Sequence, residues 1–322
     1  MNGTAERVPT WSVMIPTYNP TDHLRITLEA VFAAQRQLGE AMQIEIVDDA
    51  STAVDVAALV AGWGLSGVTV FRRDANGGLA ACWNHCVERA SGELIHLLHQ
   101  DDFIAPMFYR RMGDAARRFP QAGMLFCRHA FLVGDRSHLS DEERPETGLV
   151  DDWVERICGS QRVQCPAVVL RSSTYQNVGG FDPELRWVID WEMWIRVALA
   201  TPVAYVAETL ATYRMHAGAE TSRLKNAAAI ADDLAKGLRH IRTLLRRASR
   251  RDCIPLATRY VWGASGEAAA EANVRGRPDI ARRELSASLR HFGARVGPKL
   301  LVERLRWYMA TRREALSRQH RD

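Results

Sequence analysis

The sequence predicts an α/β protein in which a mostly parallel sheet is flanked by helices and followed by a C-terminal helical appendage. Three observations predict it. Short apolar, β-rich runs alternate with helix-length amphipathic segments through the first hundred residues. Each run ends in a polar cluster: Pro16-Thr17-Tyr18-Asn19, Asp48-Asp49, Asn76-Gly77-Gly78 and Asp101-Asp102. From Arg223 onward the pattern turns basic and helical, with about 23 Lys and Arg against about 10 Asp and Glu. That is about +13 in a chain whose net charge is +4, so the first 222 residues carry about −9. On this shift we divide the chain into residues 1–222 and 223–322.

Taken in order, Trp11–Ile15 is a strand closed by a proline turn, and Leu24, Leu28, Val31 and Phe32 recur at helical spacing. Ile44–Val47 is the next strand, and Val54–Trp63 the next helix. Val68–Phe71 is a third strand; Asn76-Gly77-Gly78 turns the chain into a helix over Leu79–Ala90. Ser91-Gly92 leads into a buried strand, Leu94–Leu98, which runs into Asp101-Asp102 before a helix begins near Ala105. Strands alternating with helices in this way imply right-handed crossovers and a parallel sheet. Gly123–Val133 follows as a strand, Gly134–Gly148 as a polar loop, Asp151–Cys158 as a short helix and Ala167–Leu170 as a further strand. Asn177–Asp182 is a turn with paired glycines, and Trp187–Arg196 has helical spacing around Asp190. In the tail, Ile230, Leu234, Leu238, Ile241 and Leu245 line one face of a helix whose other side carries Lys236, Arg239, Arg242, Arg246 and Arg247. Tyr260–Asn273 and Pro278–His291 form a helical hairpin, and Lys299–Tyr308 mixes basic and aromatic residues as an interfacial helix does.

In a wound parallel sheet the carboxyl ends of the strands line one crevice, so the four polar clusters become neighbours and a nucleotide or phosphate site is expected there. Asp101 and Asp102 suit a hard cation; capping of the following helix is the plainer alternative. No GxGxxG or GxxxxGK[ST] is present, which excludes a dinucleotide Rossmann site and a P-loop. The first loop, with Thr17 and Tyr18, suits a base held by stacking and hydrogen bonds. Asp190 sits among Trp187, Trp191, Met193 and Trp194, as an N-cap of its helix or as a general base whose proton affinity burial raises. The six cysteines form no CxxC pair and are expected reduced. No apolar run of about 18 residues and no signal-peptide core occurs, so the expected location is cytoplasmic, with any membrane contact peripheral at the inner face.

The ordered set Pro16-Thr17-Tyr18-Asn19, Asp48-Asp49-Ala50-Ser51, Asn76-Gly77-Gly78 with Asn84, Gly92-Glu93, Asp101-Asp102 with Pro106, Gly179-Gly180-Phe181-Asp182, Asp190-Trp191 with Arg196, and Tyr213-Arg214 with His216 resembles glycosyltransferase family 2, over about residues 10–222. The resemblance implies a GT-A fold and an inverting transfer from a nucleotide-diphosphate sugar to a glycan or lipid-linked glycan acceptor. It implies that Pro16, Thr17, Tyr18 and Asp49 hold base and ribose, with Asn19, Asp48, Asn76, Gly78 and Asn84 in the same nucleotide site. Asp101 matches the acid that binds Mn²⁺ or Mg²⁺, with Asp102, His99 and His216 as further ligands. Asp190 matches the catalytic base, and Trp191, Gly180 and Arg214 stand at acceptor or diphosphate positions. The chain departs from the pattern at His99, where the family has the first acid of DxD, at Ile189, which often is an acid, and at Trp83, where many members carry Arg. An inactive nucleotide-sugar binder or a helical scaffold is the alternative reading. Uridine is the first base expected, ahead of deoxythymidine and guanosine. The basic tail fits a membrane surface, a phosphorylated acceptor or plain solvation, and a homo-oligomer is compatible with it; nucleic acid is not expected, since no binding motif accompanies the charge.

Overall fold

A computed structural model describes residues 11–293 together with Val302, Arg306 and Met309. The expected helix Lys299–Tyr308 lies outside the described residues apart from Val302 and Arg306. The elements are β1 (Trp11–Thr17), α1 (His23–Leu38), β2 (Gln43–Asp48), α2 (Val56–Gly62), β3 (Thr69–Arg72), α3 (Leu79–Arg89), β4 (Leu94–Leu97), β5 (Phe103–Ile104), α4 (Phe108–Arg118), β6 (Met124–Val133), β7 (Arg136–Leu139), β8 (Gly148–Leu149), α5 (Trp153–Gly159), β9 (Val168–Arg171), α6 (Ser172–Val178), α7 (Ile189–Ala200), β10 (Val203–Met215), α8 (Glu220–Asn226), α9 (Ile230–Arg247), α10 (Ile254–Val274) and α11 (Pro278–Phe292).

The sheet runs β3-β2-β1-β4-β9-β6-β10-β5, with β7 beside β6 and β8 beside β10. Its first four strands are parallel, as alternation with α1, α2 and α3 requires. β9 enters antiparallel between β4 and β6, so the sheet is mixed rather than wholly parallel. β1 is buried at all seven positions, which is why it reads as a continuous apolar run instead of an alternating one. Packing under β4 includes one polar group. His96 is fully buried, its Nε2 donates to the Pro166 carbonyl at 3.0 Å, and its Nδ1 accepts from the Tyr109 hydroxyl at 3.1 Å. Desolvation pulls its pKa down to about 3, so it stays neutral.

Chain contacts resolve two compact units. One holds Met1–Trp153, Arg162–Pro183 and Ala200–Met215, and contains the sheet. The other holds Val154–Gln161, Glu184–Leu199 and His216–Asp322, and so groups α7 with the C-terminal helices. In that second unit the apolar stripe of α9 is buried as its spacing predicts, and Asp233 and Gly237 are buried with it. α10 and α11 pair as the expected hairpin around a Ser265–Ser288 hydroxyl contact of 2.7 Å. Among the described residues no helix is long and apolar enough to cross a membrane. All six cysteines are free and buried.

Candidate active site

The loops after β1, β2, β3 and β4 are joined by hydrogen bonds in the sheet unit. Pro16 and Thr17 are still strand: they pair with Val47 and Asp48 of β2, are buried, and Thr17 Oγ1 donates to the Ile15 carbonyl at 3.3 Å. The loop therefore starts two residues later than the proline suggests. Tyr18 is the exposed member, with 43% of its surface free. Its backbone is gripped by Gln100, which accepts from Tyr18 N–H at 3.0 Å and donates to Tyr18 O at 3.3 Å, leaving the ring outside the clamp. Asn19, at φ 45°, accepts from the Thr52 and Ala53 amides at 2.8 and 2.9 Å, while its own amide donates to Ser51 Oγ at 2.8 Å.

Asp48 and Asp49 divide their work. Asp48 Oδ1 accepts from the Ser51 amide and hydroxyl at 2.9 and 2.5 Å, and Oδ2 from Arg72 at 2.6 Å, so this carboxylate builds the loop. Asp49 ion-pairs with Arg73 and accepts from the Gly77 and Gly78 amides at 3.1 and 2.9 Å, tying the end of β2 to the start of α3. Asn76 Oδ1 also accepts from the Gly78 amide, at 3.1 Å, and Gly78 holds φ 79° at the α3 N-cap. Asn84 of α3 makes a two-way clamp: Oδ1 accepts from Phe181 N–H at 2.7 Å and Nδ2 donates to Phe181 O at 2.9 Å. A Cβ on Gly180 would lie 2.4 Å from Asn84 Oδ1, which explains the glycine.

After β4, His99, Asp101 and Asp102 offer one ligand atom each, all within 4.8 Å of one another. They do not cap α4, whose N-cap is Met107 with no side-chain cap bond. Asp102 is fully buried; Oδ1 accepts from the Arg214 amide at 2.8 Å, while Oδ2 has no hydrogen-bond partner among the described residues and faces His99 Nδ1 at 3.6 Å. Thr27 Oγ1 fixes this turn by donating to the Asp102 carbonyl at 2.7 Å. Burial and the neighbouring Asp101 charge push the Asp102 carboxyl well up, against the pull of Arg214. Burial lowers His99, with the Asp101 charge opposing, so its imidazole is neutral and ready to ligate. Trp83 stacks on that ring at 4.8 Å and 27°. A buried, orphaned carboxylate oxygen beside a second carboxylate and a neutral imidazole is a donor set that fits a divalent cation. Arg214 lies over the Phe103 ring at 5.3 Å, and its Nε has no hydrogen-bond partner among the described residues.

The helical unit carries Asp190, second residue of α7. Its Oδ1 accepts from the Trp191 amide at 2.7 Å and its Oδ2 from Gln161 Nε2 at 2.8 Å, both neutral donors. Burial outweighs these bonds and lifts its pKa to about 7. Trp191 is buried, donates from Nε1 to the Ile157 carbonyl at 2.6 Å and packs on Tyr260 at 4.7 Å, so its indole N–H is used internally. His216 belongs to this unit too; its carbonyl accepts from Ser222 Oγ at 2.9 Å. Sequence reasoning missed Gln100, Arg73, Gln161 and Asp233. Only Arg73 had a signal, as a cation one residue past β3.

Residues 12–159 match the model of glycosyl transferase family 2. The chain carries a glycosyl transferase family 2 domain. An uncharacterized protein of Mycobacterium tuberculosis is similar at 28% identity over 239 residues, covering 67% of this chain and 70% of its own. An uncharacterized glycosyltransferase of Rickettsia typhi is similar at 23% over 224 residues, 68% of each. Among solved structures, S. aureus TarS 1–349 superposes with a TM-score of 0.63 at 16% identity, covering 87% of this chain and 89% of that one. It is also known in complex with UDP and with UDP-GlcNAc. The mannosyltransferase PcManGT of Pyrobaculum calidifontis, solved with GDP-Man and Mn²⁺, gives 0.54 at 14% identity, over 90% and 89%. The family 2 domain thus has the GT-A fold that the resemblance implies.

Proposed function

We propose that this glycosyltransferase is an inverting enzyme that moves a sugar from a nucleoside-diphosphate donor to a hydroxyl of a glycan or lipid-linked glycan, with Asp190 as general base. One observation carries the reading: a carboxylate at the start of α7, with two neutral hydrogen-bond donors and a pKa of about 7, is poised to take a proton at neutral pH. In the reaction the acceptor hydroxyl gives its proton to Asp190 while its oxygen bonds to the anomeric carbon. The bond from that carbon to the diphosphate breaks in the same displacement, the electron pair leaves with the nucleoside diphosphate, and the configuration inverts. Tyr18 offers a face for the base, and Asp49, fixed by Arg73 and the glycine amides, is assigned with it to base and ribose. Arg214 pairs with phosphate oxygens. His99, Asp101 and Asp102 would hold a Mn²⁺ or Mg²⁺, whose positive charge would stabilise the departing diphosphate.

Uridine is the first base to test, a choice supported by the UDP complexes of TarS. Calorimetric titration with UDP, dTDP, GDP and CMP, each with Mn²⁺, Mg²⁺ or chelator, is expected to show metal-dependent binding of one diphosphate. Asp190→Asn is expected to keep that binding and lower transfer by about 10²–10⁴-fold. Transfer at the wild-type rate in that variant would remove Asp190 from the mechanism. Contact with an anionic inner membrane face through Lys236, Arg239, Arg242 and Arg246 belongs to the same proposal, and co-sedimentation with phosphatidylserine vesicles tests it.

A further inference from the structure

Asp233 lies in the first turn of α9, where an acidic residue ordinarily faces water and the helix dipole. Here it is buried, with 8% of its surface exposed. Its carboxylate receives three successive backbone amides: Arg186 N–H at 3.1 and 3.2 Å, Trp187 N–H at 2.7 Å and Val188 N–H at 3.1 Å. Three consecutive amides converging on one anion form a nest, and this nest is filled from within the protein. It closes one residue before α7 begins and two before Asp190.

Gly237, one turn further along the same face of α9, explains how the helix comes so near. A Cβ there would lie 2.5 Å from Val188 Cγ2. A mid-helix glycine costs about 1 kcal/mol against alanine, and the gap it leaves admits Val188. α10 meets the same region: Tyr260 packs on Trp191, and its hydroxyl bonds to the Gln161 backbone, the residue whose side chain donates to Asp190.

We infer that Asp233 is a positioning residue for the general base: by gathering the amides of Arg186, Trp187 and Val188 it fixes where α7 starts, and so holds the Asp190 carboxylate in its half-buried, two-donor setting. The inference rests on the reading of Asp190 as the base. Nearly all the bonds that define that setting come from the C-terminal helices or from Gln161, so the helical region is part of the catalytic apparatus and not an appendage to it. Among the described residues of this unit Asp190 faces Gln161, the Trp191 amide and Tyr260, and no cation among them contributes to its proton affinity. Loosening the start of α7 therefore admits water and lowers that affinity.

The deciding measurement needs no donor. Carboxyl ¹³C NMR of Asp-labelled protein follows Asp190, assigned as the resonance absent from D190N, through pH 4–9. Asp233→Ala is expected to move its midpoint down by at least one pH unit, and Asp233→Asn, which keeps one acceptor oxygen, by less. UDP affinity in the presence of Mn²⁺ is expected to stay within threefold, while UDP release from UDP-N-acetylglucosamine falls at least tenfold in D233A, with its acid limb displaced to lower pH. A variant that only lost stability would leave the Asp190 midpoint where it was. If both variants fold and retain the wild-type midpoint, the inference is wrong; should D233A not fold, D233N alone decides. Wild-type turnover in D190N would instead overturn the base reading itself, a separate outcome.

Discussion

Asp190→Asn is expected to make the protein more stable as it makes it inactive, and the size and pH dependence of the gain follow from the site. The carboxyl is raised from an ordinary value of 3.8 to about 7, chiefly by burial. A rise of about three pH units corresponds to about 4 kcal/mol between the protonation states. The folded protein holds this proton more tightly than the unfolded chain does. The stabilisation it contributes is therefore full below about pH 4, declines as pH rises toward 7, and is gone once pH has passed through the folded value. At pH 8 the folded protein carries an ionised group in a place that disfavours it. An amide of the same shape has no such cost. Its oxygen accepts from the Trp191 N–H, and a turned Gln161 amide accepts from its nitrogen, so the hydrogen bonds survive. Partial exposure and relaxation reduce the figure, leaving about 2–4 kcal/mol of added stability at pH 8 that shrinks below about 1 kcal/mol by pH 4. Urea denaturation of both proteins at pH 8, 7, 6, 5 and 4 reads this directly as a change in midpoint at constant slope. A gain that does not vary with pH, or none at pH 8, would refute the argument that burial sets the proton affinity of Asp190.

Other perturbations bear on the sheet unit. Ala50 sits at φ 58°, in the left-handed region where a non-glycine residue costs about 1–3 kcal/mol, so Ala50→Gly should raise stability by about 1 kcal/mol in chemical denaturation. Gly180→Ala should lose about 2–3 kcal/mol, because the new methyl displaces Asn84 from both of its bonds to Phe181; a change under about 0.5 kcal/mol would show that the clamp is not needed. In calorimetry with UDP present, Mn²⁺ should bind at least about tenfold more tightly than Mg²⁺, since Mg²⁺ favours an all-oxygen shell and His99 brings nitrogen. His99→Asp should narrow that gap, and equal affinities in the wild type would remove His99 from the ligand set.

The first four strands were legible because each is a short apolar run bounded by turn residues, and the loops at their ends drew notice because every run ends in polar groups. Other elements left weaker traces. β10 is thirteen residues long, but its middle, Ala207-Glu208-Thr209, is exposed or half-exposed and interrupts the apolar pattern, so only its end drew notice. α6 is built from Ser172-Ser173-Thr174-Tyr175-Gln176-Asn177-Val178, poor helix formers whose packing overrides propensity. β7, Arg136–Leu139, is exposed at every position and has no core face to betray it. At the site, residue type and order pointed to loops that the structure joins by hydrogen bonds. They could not say that Asp48 and Asn84 spend their polar atoms on neighbouring loops, because a carboxylate that binds a ligand and one that binds an amide look alike in sequence. Asp233 was hidden for the same reason, as one more acid at a helix start.

The partition of the chain has a consequence for how such an enzyme diversifies. The backbone passes from one compact unit to the other after Trp153, Gln161, Pro183, Leu199 and Met215. No single crossover between two related genes can therefore exchange one unit whole while keeping the other. A recombinant cut anywhere between Trp153 and Met215 inherits mixed halves of both, with carboxylates from one parent facing amides shaped by the other.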